Sequence, residues 1–87
     1  MLRISEMSAS GEGTALRLEG EVMGPWVREV KKACEPFLGN GRQLTLDLAD
    51  VSLVDREGVA LLRELKRAQV RLVNGSPFLT EQLQTES

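Results

Sequence analysis

The stretch that decides the fold is Leu44-Thr45-Leu46-Asp47-Leu48-Ala49-Asp50-Val51-Ser52-Leu53-Val54-Asp55-Arg56-Glu57-Gly58-Val59-Ala60-Leu61-Leu62. Its first part alternates leucines with polar residues, which is the period of a β-strand with one buried face. Asp55 is a suitable helix N-cap, and from Arg56 to about Ala68 the apolar residues recur at helical spacing. The stretch therefore predicts a strand that leads into an amphipathic helix.

The residues before this stretch predict two strands and a helix. Apolar and polar residues alternate from Leu2 and again over Thr14–Gly20, and the turn-forming residues 8–13 between them predict a hairpin loop. Gly24-Pro25 opens a helix, because proline in the first turn loses no hydrogen bond, and Pro36 ends or kinks it. We expect one face of this helix to be buried, and it holds Trp26, Val27, Val30, Ala33, Cys34, Phe37 and Leu38. For Trp26 core packing is favoured over a role as a partner-binding anchor, and Cys34 is expected to be a small core residue.

The residues after this stretch predict a short strand at Val70–Val73 and a helix that starts at Ser76-Pro77 and ends near Leu83. The order β-β-α-β-α-β-α predicts one α/β domain over residues 1–83, and residues 84–87 are expected to form a disordered tail. Right-handed crossovers would make the strands near Leu16, Leu46 and Leu72 parallel within a mixed four-stranded sheet. Because each strand alternates, we expect the helices to cover one face of this sheet.

The composition excludes several classes of function. Lys and Arg total 11 against 13 Asp and Glu, a formal net charge of −2, so the chain lacks the basic surplus that nucleic-acid binding requires. It has no His and a single Cys, which excludes His-based nucleophilic pairs and His or multi-Cys metal sites. The longest apolar run, Val59–Leu62, has four residues, far fewer than the ~20 of a bilayer span. We expect a cytoplasmic protein without cofactor, metal or membrane insertion.

The stretch from Leu44 to Leu62 resembles the core signature of the STAS domain, which is found in bacterial anti-sigma-factor antagonists and in the tails of sulfate transporters. In that signature a strand leads to Asp-Ser-x-Gly or Asp-Ser-Ser-Gly and then to an apolar helix. The resemblance implies the STAS fold and a partner-binding surface formed by Met23, Asp55, Arg56, Glu57 and Gly58. It also implies a protein-interaction module that is not an enzyme.

This chain departs from the family's motif at the position of the usual phosphoacceptor serine. Aligned through Asp55 and Gly58, the two intervening residues are Arg56 and Glu57, so the phosphoserine position is Glu57 and cannot be phosphorylated. Two interpretations stay open: Glu57 mimics phosphoserine permanently, or it merely complements the positive end of the helix. Ser52 is an alternative phosphosite, although a hydroxyl that bonds the local backbone is the simpler explanation.

Two functions follow from the resemblance. The first is an anti-sigma-factor antagonist in a bacterial partner-switching system that regulates transcription, with an anti-sigma factor or kinase-like protein as partner. The second is an accessory subunit of a membrane lipid ABC transporter, a role that some solitary STAS domains without the switch serine have by docking on the ATPase. A homodimer is a further expectation, because a sheet edge is left exposed.

Overall fold

The structure is a computed structural model and describes residues 1–9, 13–39, 41 and 43–84. Its elements are β1 (Leu2–Ala9), β2 (Gly13–Val22), α1 (Pro25–Cys34), a 3-10 turn (Glu35–Phe37), β3 (Gln43–Val54), α2 (Arg56–Arg67), β4 (Arg71–Val73) and α3 (Pro77–Gln84). The predicted order β-β-α-β-α-β-α is confirmed.

The four strands form one mixed sheet in the order β1-β2-β3-β4. β1 is antiparallel to β2, whereas β2, β3 and β4 are parallel, and Leu16, Leu46 and Leu72 lie side by side across them as predicted. The alternation of leucines decides which face is covered. Leu16, Leu46 and the other leucines of that face form a single core cluster with Val30, Leu62 and other helix residues. The helices thus pack against the leucine face.

Several element boundaries differ from the predicted ones. β1 continues through Ser8 and Ala9, which were expected in the hairpin loop, because a bulge after Glu6 lets them pair with Ala15 and Thr14. The rest of that loop, residues 10–12, lies outside the described residues. β3 likewise continues through residues 50–54, which pair with the end of β2. α3 reaches Gln84, one residue past its predicted end, and residues 85–87 of the expected tail are outside the described part.

The first helix is buried less completely than its apolar stripe predicted. Val30 and Cys34 are fully buried, and the α-helix stops at Cys34, before the turn that contains Pro36. Burial raises the pKa of the Cys34 thiol to about 11, as expected for a core residue. Trp26, by contrast, is half-buried and lies outside the described core cluster, so its predicted core position is wrong. Trp26 is the second residue of α1 and lies in its first turn.

None of the helices in the described ranges combines the length and hydropathy required to cross a membrane. Within the same ranges, no group of His, Cys, Asp or Glu side chains is arranged to hold a metal ion.

Candidate functional site

The carboxyl ends of β2 and β3 meet at one edge of the sheet and bring two loops together. Val22 and Val54, the last residues of these strands, are paired, and the Asp55 N–H donates to the Val22 carbonyl at 3.3 Å. Two register shifts between the strands let β3 gain residues relative to β2, which bends β3. The β2–α1 loop therefore lies beside the start of α2, where ligands and partners of open α/β sheets commonly bind.

Asp55 joins the two loops through both oxygens of its carboxylate. Oδ1 accepts a hydrogen bond from the Gly58 N–H at 2.7 Å, which confirms the predicted N-cap of α2. Oδ2 accepts from the Gly24 N–H at 3.1 Å, just before α1 begins. One half-buried side chain thus fixes the starts of both helices relative to each other.

Two glycines allow this close arrangement. Gly58 is buried, and a Cβ at this position would collide with the Val22 carbonyl oxygen and with the Val54 side chain. Gly24 has φ 56° and ψ −135°, a conformation that L-residues with a side chain rarely adopt. The motif residues Asp55 and Gly58 therefore fix the backbone positions of the two loops at the site.

The two motif residues between Asp55 and Gly58 face solvent. Arg56 and Glu57 are exposed in the first turn of α2, and the Glu57 side chain has no hydrogen bond or ion pair with any described residue. Across the junction, Pro25 is exposed and Met23 is half-buried. We call Met23, Gly24, Pro25, Arg56 and Glu57 the α2 N-terminal surface. It contains three of the five residues predicted to bind a partner, whereas Asp55 and Gly58 lie beneath it.

Glu57 also borders a basic groove along α1. The groove has a volume of about 520 Å³ and is lined by Glu57, Pro25 and the α1 residues Arg28, Glu29, Lys31 and Lys32, among others. The charge around Glu57 is therefore mixed, with cations along α1 and a carboxylate at the start of α2. An uncharged partner surface would leave these groups without electrostatic complementarity.

Between α2 and α3 lies a groove with exposed apolar side chains that the sequence analysis missed. It has a volume of about 510 Å³ and is lined by the apolar residues Val54, Val59, Ala60 and Phe78 and by the polar residues Asp55, Arg56, Arg63 and Gln82. Phe78 is 71% exposed and Leu53, at the end of β3, is 50% exposed. The available signal was in α3, where Leu79 and Leu83 form the buried i, i+4 pair and thereby direct Phe78 outward.

Two further polar side chains donate to backbone carbonyls. Arg63 is half-buried, and its guanidinium donates to the Gln82 carbonyl at 2.7 and 3.2 Å. It fastens α2 to α3. Ser52 lies at a register shift within β3, and its exposed hydroxyl donates to the Gly20 carbonyl at 3.2 Å. Such a bond is the backbone contact expected as the alternative to phosphorylation.

The sheet face opposite the helices carries a buried carboxylate. Asp47 Oδ1 accepts from the Ala49 N–H at 2.9 Å and from the Asn74 side-chain amide at 3.2 Å, and Arg17 lies 3.7 Å from Oδ2. The backbone bond to Ala49, then the Asn74 amide and the Arg17 charge lower the pKa of Asp47, while burial opposes them. The network stabilises the strands and is remote from the α2 N-terminal surface.

Comparison with known proteins identifies the family. A family model described as "Mlab, STAS domain" matches residues 5–84. This chain belongs to the STAS domain family. Among solved structures, the STAS domain is similar to the anti-sigma factor antagonist SpoIIAA in its unphosphorylated form, with a TM-score of 0.71 and 24% sequence identity. The alignment covers 97% of this chain and 84% of that one. This likeness confirms the predicted STAS fold. Comparison with functionally curated proteins gives no significant match.

Proposed function

We propose that this STAS domain is a non-enzymatic protein-interaction module of the partner-switching type, with the α2 N-terminal surface as its binding site. The observation that carries the proposal is the division of roles within the motif. Asp55 and Gly58 fix the two loops, while Arg56 and Glu57 project outward at the position where antagonists of the family have their phosphoacceptor. The motif thus keeps Asp55 and Gly58 but has no hydroxyl at the two positions between them.

In this proposal Glu57 supplies a permanent negative charge. Phosphoserine carries about −1.5 to −2 charges, so a carboxylate at the same place provides part of its electrostatic effect without a kinase. The free N–H groups and the dipole at the start of α2 favour an anion there. Because phosphorylation releases the kinase-type partner in the family's antagonists, Glu57 keeps this chain in the released state towards such a partner.

The partner we infer has an apolar patch next to a basic group. Met23 and Pro25 give the surface an apolar side. The half-buried Trp26 follows Pro25 in the chain, and tryptophan is among the residues enriched at binding hot spots. Glu57 and the basic groove on α1 supply charges of both signs beside it. We expect the partner's cation to pair with Glu57, which is otherwise without a described partner.

An accessory subunit of a membrane lipid ABC transporter is the second candidate, with the ATPase as partner. The absence of a hydroxyl from the motif favours it, because that role requires no phosphorylation cycle. The matching family model is described as "Mlab, STAS domain", a description that does not mention an antagonist, and this favours it too. The same α2 N-terminal surface would serve in both cases, so the identity of the partner separates the two candidates.

Affinity capture with quantitative mass spectrometry tests the proposal. We compare the tagged wild type with Glu57→Ala, Glu57→Ser and, as a matched control on the same helix, Glu64→Ala, since Glu64 is also exposed. We expect Glu57→Ala to change recovery of the main partner about tenfold, which corresponds to ~1.4 kcal/mol of binding energy. The control should leave recovery unchanged.

Each outcome decides between the alternatives. A kinase-like or sigma-regulating partner supports the antagonist, and an ABC ATPase supports the transporter subunit. Recovery of a kinase-type anti-sigma factor by Glu57→Ser but not by the wild type would show that Glu57 mimics phosphoserine. Equal recovery by the wild type and all three variants would refute the α2 N-terminal surface as the binding site.

A further inference from the structure

β1 is an unpaired edge of the sheet. It is eight residues long, whereas β4, at the other edge, has three. In the described part of the chain no further strand lies beyond β1. Proline and lysine are two of the residues that block pairing of an edge strand with another chain, and β1 contains neither.

The hydrogen bonds to β2 determine which backbone groups of β1 remain free. The Glu21 N–H donates to the Met1 carbonyl at 3.3 Å, and the pairs Leu2↔Gly20 and Arg3↔Glu19 continue the same register. In an antiparallel pair, alternate residues bond to the neighbouring strand. Met1, Arg3 and Ser5 therefore bond to β2, and the backbone groups of Leu2, Ile4 and Glu6 point away from the sheet.

We propose that two copies of this chain pair through β1, antiparallel, about a two-fold axis at Ile4. In this register Ile4 lies opposite Ile4 of the second copy, and Leu2 lies opposite its Glu6. Each opposed pair then exchanges two backbone hydrogen bonds, so all the outward groups of Leu2, Ile4 and Glu6 are satisfied. The two sheets become one continuous sheet of eight strands, four from each copy.

The side chains favour this register over the neighbouring ones. Leu2 and Ile4 are half-buried and pack against the core cluster, so contact between the two Ile4 side chains extends the core across the axis. An axis at Glu6 would place the two Glu6 carboxylates opposite each other, and like charges in that position destabilise a strand pair. An axis at Arg3 would place the two Arg3 guanidiniums opposite each other in the same way, and an axis at Ser5 would place Ile4 opposite Glu6 instead of opposite Ile4. An axis at Ile4 opposes two apolar side chains and brings no like charges together.

The bulge in β1 limits the pairing to a closed dimer. The register with β2 shifts between Glu6 and Ser8, and Met7 is the extra residue. Pairing with a second copy therefore stops after Glu6. Since both β1 edges are used in the dimer, only the three-residue β4 edges remain, and these are too short to extend the assembly. This inference does not rest on the proposed function.

Measurement of mass in solution tests the dimer. We expect the wild type to reach twice the 9.6 kDa chain mass as its concentration rises, by light scattering after gel filtration. Ile4→Pro removes the outward N–H and leaves the hydrogen bonds to β2, so it should give a folded monomer by circular dichroism. A wild type that stays monomeric up to about 1 mM would overturn the proposal.

Disulfide trapping tests the register separately, and does not depend on the proline variant folding. Directly opposed, hydrogen-bonded residues have Cα atoms about 5.5 Å apart, within disulfide range. Ile4→Cys should therefore link to its own copy under mild oxidation. Ser5→Cys, the matched control, should stay unlinked because its opposite residue is Arg3. The native Cys34 is buried and does not compete. Linkage through position 5 instead of position 4 would refute the Ile4 axis.

Discussion

Replacement of Asp55 by alanine removes the acceptor of two backbone N–H groups at once. The bond to Gly58, at 2.7 Å, is the N-cap of α2, and losing such a cap costs about 0.5–2 kcal/mol. The bond to Gly24, at 3.1 Å, is longer and more exposed, and we assign it about 1 kcal/mol. Asp55→Ala should therefore lower the free energy of unfolding by about 1.5–3 kcal/mol, a large part of the ~4–13 kcal/mol typical of a chain of 87 residues.

Asparagine at position 55 separates the two bonds. Its carbonyl oxygen can still cap α2 by accepting from Gly58, but its NH₂ group would face the Gly24 N–H and cannot accept a hydrogen bond from it. We expect Asp55→Asn to lose about 1 kcal/mol, so that it lies between the wild type and Asp55→Ala.

Urea denaturation followed by circular dichroism measures these free energies, and hydrogen exchange reports on the Gly24 amide. Both variants should speed exchange at Gly24, whereas Asp55→Asn should preserve protection in the first turn of α2. The reasoning fails if Asp55→Ala costs less than about 0.5 kcal/mol, the size of an ordinary surface substitution. It also fails if the Gly24 amide exchanges at the wild-type rate in both variants.

Two further predictions concern Gly58 and Asp47. Gly58→Ala should cost about 1–3 kcal/mol in urea denaturation, because its Cβ meets the Val22 carbonyl, even though alanine is the better helix former; a gain in stability would contradict this. The pKa of Asp47 is lowered in the folded state, so its stabilisation is present above the unfolded value of about 3.9 and is lost as the pH falls through the folded pKa. The stability difference between the wild type and Asp47→Asn should accordingly shrink in acid. Glu64→Gln, at an exposed position of α2, is the control, and a difference between the wild type and Asp47→Asn that stays constant with pH would refute the assignment.

Features that depend on local spacing were predictable from the sequence. The alternation of leucines identified the buried face of β2 and β3, and the handedness of crossovers then gave the parallel alignment of Leu16, Leu46 and Leu72. Asp55 was identified as an N-cap because its partner, Gly58, is three residues away. The resemblance to the STAS family located the candidate site, which lies at the carboxyl ends of β2 and β3.

Features that depend on tertiary register were not predictable. Gly24 and Asp55 are 31 residues apart, and only the pairing of Val22 with Val54, after two register shifts, brings them together. Nothing in the helical periodicity of α2 showed that the carbonyl of Gln82 would be within reach of Arg63. Trp26 fits the apolar stripe of α1 by its spacing. Spacing along one helix, however, does not show which part of that stripe the rest of the fold covers.

The four-residue motif at the start of α2 separates two kinds of sequence constraint. Asp55 and Gly58 are held by hydrogen bonding and by steric fit, so changes there alter the backbone itself. Arg56 and Glu57 display their side chains on that backbone without being needed to form it. On the proposed binding surface, the side chains at these two adjacent positions can therefore be changed with little effect on folding. For protein engineering, Asp55 and Gly58 provide a fixed backbone, and the side chains at positions 56 and 57 can be varied on it. Libraries restricted to these two positions would test new partners for the proposed surface without changing the rest of the fold.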